Sequence, residues 1–432
     1  MNILFLDLFI GSCLFLVVWG LLKKKRIIQF PFFMGGIFST FLIPQAIALV
    51  NNPGIASISS INRILFYSSL CAFMCWWGYQ HRSNDRLVSY FDLNYDTNKI
   101  INAGIALSIF SIICNLILSL ITVQLSEFGT WSGPATIILF LSNTGWMGLA
   151  ILLIKGLERR SAVLLSFSLF TSIPILSSIV YSGRRQATAN IFIVIIICIF
   201  FAVKKLPSRF LVVLMIVLTI FLIPIFGQMR GQFWEALVSG DINFSVLINS
   251  FQSLVLEGSI LELRNATLVA EASEITGQYG FGTGFWNDIV FQYIPGQFLG
   301  EELKNSLYIN LVNYSLDDLF GYIPHTGTTL TAIGDSFQEF WFLGAFIFAI
   351  IAYFLKNIWI SATQRNSFCS QILYPGLMSS SVIGLTHGIG RFLQEAIFQL
   401  ILLKIVSQYA MSQQSVEVDN EKSETSCKTR GF

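Results

Sequence analysis

The chain has 432 residues, 54% of them hydrophobic and only 12% charged, with a formal net charge of +2. Soluble globular domains carry about 25% charged residues, and 26 basic plus 24 acidic side chains cannot cover the surface of a domain this long. A cytosolic enzyme, a disordered protein and a secreted disulfide scaffold are excluded, which leaves a polytopic membrane protein whose 40 Phe and 9 Trp suit lipid and interfacial contact.

About 20 apolar residues cross a bilayer as a helix. By that rule the predicted fold is all-α, with about eleven membrane spans (range ten to twelve) near 4–22, 27–50, 63–79, 100–121, 133–154, 162–182, 188–203, 209–227, 337–355, 368–387 and 392–409. Residues 1–226 hold the first eight, 227–336 form one large external loop, 337–410 hold the last three, and 411–432 read as a disordered cytoplasmic tail. The Lys23-Lys24-Lys25-Arg26 run follows the first apolar stretch, so it marks an inner boundary and not a cleaved signal peptide. With the N-terminus outside and the C-terminus cytoplasmic, 19 of the 26 Lys and Arg fall inside, as the positive-inside rule requires. The external seven are Arg63, Arg184, Arg185, Arg230, Arg264, Lys304 and Arg391.

The large loop carries twelve acidic against three basic residues. Phe244, Leu247, Ile248, Phe251, Leu254, Val255, Leu261 and Leu268 recur at helical spacing, which predicts an amphipathic helix able to lie on the membrane. A Gly-rich stretch (Gly277, Gly280, Gly282, Gly284) and an aromatic segment from Phe285 to Pro295 follow. Gly280-x-Gly282-x-Gly284 lacks the strand–helix setting of a nucleotide motif. Gly384-x-x-x-Gly388 reads as a helix contact.

External cations are informative because topology selects against them. Arg184 and Arg185 occupy a tight turn at the outer boundary, where the planar guanidinium fork suits the phosphates of a lipid substrate; the plainer alternative is a pair of head-group anchors. Arg264 flanks the apolar stripe, and the competing expectation is an intrahelical pair with Glu257, Glu262 or Glu271. Arg230 and Arg391 adjoin spans in the same manner. Of three histidines, His81 is cytoplasmic, whereas His325 and His387 are external. An imidazole at His325 can take a proton from an attacking hydroxyl or hydrogen-bond a sugar; a structural role is the alternative. Two external histidines without further ligands make no zinc site. Cys71 and Cys75, at i, i+4, read as core residues, and Asp317-Asp318 as solvated surface. No metal, cofactor or nucleic-acid site is predicted.

The layout of many spans with one dominant external loop before the last three resembles the Wzy-type O-antigen polymerases, which join oligosaccharide repeat units and are similar in layout to the O-antigen ligases. The local carriers are Ser182-Gly183-Arg184-Arg185, the helix bearing Arg264, Tyr293-Ile294-Pro295, and Pro324-His325-Thr326 leading to Phe342-Leu343-Gly344. Gly296 departs from the pattern, since many relatives carry Arg after Ile-Pro. The resemblance implies an inner-membrane glycosyltransferase without a cofactor. Its donor and acceptor are undecaprenyl-pyrophosphate-linked oligosaccharides, and its surroundings are membrane lipids, a flippase and a chain-length regulator. On that reading His325 accepts the acceptor proton, while Arg184, Arg185, Arg264, Arg230 and Arg391 hold pyrophosphate or glycan. The alternatives are an O-antigen ligase and a flippase-type transporter.

Overall fold

A computed structural model describes residues 3–93, 95–121, 124–125, 131–132, 134–182, 185–214, 216–217, 262–325 and 328–411. The architecture is helical; the one strand pair among the described residues joins Gln124–Leu125 to Trp131–Ser132. Among the described residues, seven helical stretches are long and apolar enough to cross a membrane: Ile3–Leu22, Phe30–Asn51, Ile58–Gln80, Thr97–Leu120, Pro134–Arg159, Ala162–Ile179 and Thr331–Gln364. The chain is therefore an all-α, multi-pass membrane protein.

In chain order the elements are α1 (Ile3–Leu22), α2 (Phe30–Asn51), α3 (Ile58–Gln80), α4 (Asp85–Tyr90), α5 (Thr97–Leu120), α6 (Pro134–Ser142), α7 (Thr144–Arg159), α8 (Ala162–Ser182) and α9 (Arg185–Val203). Pro44 has no N–H to offer the carbonyl one turn back, and α2 widens into a π turn over Phe38–Leu42 just before it. The second half holds α10 (Glu262–Thr276), α11 (Thr283–Tyr293), α12 (Gly296–Leu299), α13 (Glu301–Ser306), α14 (Leu316–Phe320), α15 (Thr331–Phe340), α16 (Ala345–Gln364), α17 (Phe368–His387) and α18 (Ile389–Ala410).

The centre of the bundle is α16 against α3. A Cβ at Gly78 of α3 would stand 2.1 Å from the Ala349 carbonyl oxygen, so only glycine allows these two backbones to touch. Tyr67 of α3 closes one end of this contact. Its ring meets Phe337 edge-on at 5.0 Å, and its hydroxyl pairs with Ser336 Oγ at 2.9 Å. The six cysteines among the described residues are free and buried, as their apolar settings lead one to expect.

Two expectations change. The span near 337–355 falls within the longer stretch Thr331–Gln364, which a 3₁₀ turn at Trp341–Gly344 divides into α15 and α16, with Trp341 at φ +52°. Part of the predicted amphipathic helix, 244–261, lies outside the described residues. Its continuation, α10, is packed among other helices. Leu263, Ala266, Leu268, Val269, Ala270 and Ala272 are buried, and α10 packs between α2, α3 and α15. Asn265, Thr267 and Ser273 are buried with them, while Glu262, Arg264, Glu271 and Glu274 stay partly exposed.

Candidate functional site

The first turn of α10 is fixed by α2, and its later turns by the turn that joins α2 to α3. Gln45 Oε1 accepts the Leu263 N–H at 2.9 Å, supplying the acceptor that the start of a helix lacks. Farther along, Glu271 Oε2 accepts the Ser57 N–H at 3.3 Å, and Glu274 pairs with Arg63 at 2.5 Å. Arg264 consequently projects over this turn. Its Nη2 donates to the Asn52 carbonyl at 2.9 Å, its guanidinium lies against Gly54, and its Nε has no acceptor. Of its three predicted partners, Glu262 and Glu271 form no ion pair with it and Glu257 lies outside the described residues; Arg264 makes no ion pair among the described residues. Burial raises the Tyr322 phenol above its ordinary value, and the Arg264 charge works against that rise, which marks the two as neighbours.

Asn265, next in sequence, is buried and governs the segment that carries His325. Its Oδ1 accepts the Tyr322 hydroxyl at 2.6 Å, and its Nδ2 donates to Thr328 Oγ1 at 2.9 Å and to the Thr329 carbonyl at 3.4 Å. Thr328 in turn donates its N–H and its hydroxyl to the His325 carbonyl, at 3.0 and 2.7 Å. Thr329 donates its hydroxyl to the carbonyl of Thr386, on the last turn of α17. Tyr322, Thr328 and Thr329 are thus tied to α10 and α17, and His325 is exposed, its ring without a hydrogen-bond partner among the described residues.

On the far side of this segment, His387 Nδ1 pairs with Thr386 Oγ1 at 2.7 Å. Arg391 follows one turn later, bonded to Glu395 at 3.2 Å and to Gln394 Oε1 at 3.2 Å. Arg391 is therefore a paired cation, whereas Arg264 has no ion-pair partner among the described residues. Arg185 begins α9. Arg184 and Arg230 lie outside the described residues, as do Thr326 and Gly327.

Three carboxylates that the sequence did not single out converge beside Arg391. Glu339 Oε2 accepts the N–H groups of Gly282 and Gly284 at 2.6 and 3.3 Å, and a Cβ at Gly280 or Gly284 would stand 2.3 Å from the same carboxylate. The Gly280-x-Gly282-x-Gly284 run is thus a cradle for a carboxylate of its own chain. Asp335 Oδ2 accepts the Gly390 N–H at 3.2 Å, and Asp288 Oδ2 lies 1.7 Å from where a Cβ of Gly390 would be. Gly388, with φ +119°, makes the sharp reversal between α17 and α18. Gly384 packs against Phe392, the helix contact its spacing predicted. Burial first, then the charge of Glu339, pushes Asp288 up to about 6, with Arg391 opposing. No group of three or more His, Cys, Asp or Glu poised to hold a metal occurs among the described residues. Asp317 and Asp318 are exposed in the first turn of α14, their N–H groups capped by Ser315.

Sequence missed Asn265, Tyr322, Asp288, Asp335 and Glu339 because their partners are 50 or more residues away; only the paired glycine motif hinted at the cradle. No protein-family model, no curated protein and no solved structure matches this chain.

Proposed function

We propose that the protein is a membrane glycosyltransferase that polymerises undecaprenyl-pyrophosphate-linked oligosaccharide repeat units on the outer face of a bacterial inner membrane. In this reading the chain crosses the membrane about eleven times, N-terminus outside and C-terminus cytoplasmic. The observation that carries it is the placement of Arg264, whose guanidinium has unspent donors, beside Asn265, which anchors the segment bearing His325. A phosphate-binding cation and a proton acceptor on one anchored unit are what transfer from a lipid pyrophosphate requires.

The bond from the anomeric carbon to the pyrophosphate oxygen breaks, and its electron pair leaves with undecaprenyl pyrophosphate. An acceptor sugar hydroxyl forms the new glycosidic bond, and its proton passes to His325. Arg264, with Arg184, Arg185 and Arg230, stabilises the charge on the departing pyrophosphate. Arg391, already neutralised by Glu395, is suited to sugar hydroxyls and not to phosphate. Lipids, a flippase and a chain-length regulator are the partners this reaction calls for.

A transporter is the second reading, favoured by a polar ladder on α17 and α18. Glu395 accepts the Ser380 hydroxyl at 3.0 Å, and Gln399 donates to Ser380 Oγ at 2.8 Å. Purified protein supplied with lipid-linked repeat units and chelator separates the two. Polymer formation, lost in Arg264→Ala and His325→Ala, supports the enzyme. Transbilayer movement of intact units without polymer removes it. Transfer only to lipid A core would move the assignment to an O-antigen ligase.

A further inference from the structure

Helix α11 runs beside the start of α18 in the same direction. Asp288 lies against Gly390, Gln394 Nε2 donates to the Asp288 carbonyl at 2.6 Å, and Arg391 Nη1 meets Gln292 Oε1 at 3.5 Å. Tyr293 donates its hydroxyl to the Gln394 carbonyl at 2.7 Å. Its ring packs edge-on against Phe140 at 5.5 Å, and Phe140 lies 4.4 Å from Phe398. From Gly390 to Phe398 a helix advances about 12 Å, so α11 descends most of that distance along α18.

The chain then returns. After Ile294-Pro295 come α12 and α13, and the next residues are back beside the top of α11. Trp286 Nε1 donates to the Leu307 carbonyl at 2.9 Å. Asn287 closes the base of this hairpin, donating to the Ile309 carbonyl and accepting the Ile309 N–H, both at 2.9 Å.

The descent runs toward the apolar Pro134–Arg159 span, to which Phe140 belongs, and along α18, which continues to the exposed Ile401 and Ile405. Phe291, Leu299 and Leu303 on the hairpin are 48%, 53% and 50% exposed, so no described element covers them. Glu301 and Glu302 limit the depth, since carboxylates resist the hydrocarbon core. Lys304 lays its ammonium over the Phe291 ring at 4.7 Å, as an amphipathic side chain does at an interface.

We propose that residues 286–309 form a re-entrant hairpin whose tip seats Phe291, Leu299 and Leu303 in the head-group–acyl boundary of the leaflet beside the Gly388 turn. The partner is the bilayer itself, argued from continuity with the apolar belt of the spans. The proposal is independent of which reaction the protein performs.

The test is nitroxide accessibility at Phe291→Cys, Leu299→Cys and Leu303→Cys in protein reconstituted into phosphatidylglycerol–phosphatidylethanolamine vesicles. Cys427→Ser is the background, and the six buried native thiols stay unlabelled. Asp318→Cys on α14 and Ile401→Cys on α18 are the aqueous and bilayer references. Expected is oxygen collision exceeding that of a water-soluble nickel chelate at two or more hairpin sites, at a depth between the references. Chelate access equal to that at Asp318 overturns the proposal. Shielding from both reagents also overturns it, and indicates cover by protein, such as a second copy. Three sites keep the measurement decisive if one variant does not fold.

Discussion

Asn265 Oδ1 accepts the Tyr322 hydroxyl at 2.6 Å, and this single buried amide ties the Arg264 helix to the segment carrying His325. Asn265→Ala leaves the phenol and Thr328 short of a partner, a loss of about 1–3 kcal/mol for buried polar groups. The expected outcome is a lowered Tm in detergent and loss of the transfer activity. Tyr322→Phe, which removes one hydroxyl, should lower both by less. Unchanged melting of Asn265→Ala would show that the segment is held by other contacts.

Arg264→Ala should abolish polymer while protein abundance is unchanged. A lost charge-assisted contact costs about 1.5–3 kcal/mol, more where it acts on the transition state. Lys at this position should restore activity only in part, because an ammonium lacks the planar fork. Wild-type polymer ladders from Arg264→Ala would remove Arg264 from the site.

For His325→Ala, a drop of about 10²–10⁴-fold in transfer is expected if the imidazole accepts the acceptor proton. Its ring is exposed and without a side-chain partner among the described residues, so the melting temperature should not move. A fall in stability with activity retained would give His325 a structural role.

Glycines supply a contrast. Gly390→Ala places a Cβ 1.7 Å from Asp288 Oδ2 and should destabilise by about 1–3 kcal/mol through overpacking. Gly36→Ala, with nothing within 4 Å, should stabilise α2 by about 0.5–1 kcal/mol, the ordinary gain from alanine in a helix. Thermal unfolding of the two variants tests the packing at the Gly388–Gly390 turn directly.

Asp288 gives a pH dependence with a defined sign. Its carboxyl is pushed up to about 6 from an ordinary 3.8, mainly by burial. Between these values the folded protein holds a proton that the unfolded chain has released, so stability falls as pH rises through that window. The contribution is complete below the lower value and lost above the upper, a change on the order of 2–3 kcal/mol. Melting curves of Asp288→Asn should be flatter with pH across this range than those of the parent. Parallel curves would mean that Asp288 titrates as a solvated carboxylate.

Composition alone determined that this chain is a helical membrane protein, because length and apolarity set the energy of crossing a bilayer without regard to partners. The start of α1 and the ends of α3, α5 and α17 fall within a few residues of their expected spans for the same reason. Spacing found Gly384 as a contact and the cysteines as core. Tertiary structure decided the rest. The periodicity of α10 cannot say whether its apolar side meets lipid or protein, and only packing against α3 and α15 encloses it. Charge sign marked Arg264 and Arg391 alike, yet among the described residues Arg391 is paired with Glu395 and Arg264 bonds only to the Asn52 carbonyl. The Gly280–Gly284 motif was legible as a motif, but its occupant, Glu339, stands 55 residues downstream of Gly284. Contacts of that range depend on how the chain folds back on itself, so no local pattern encodes them.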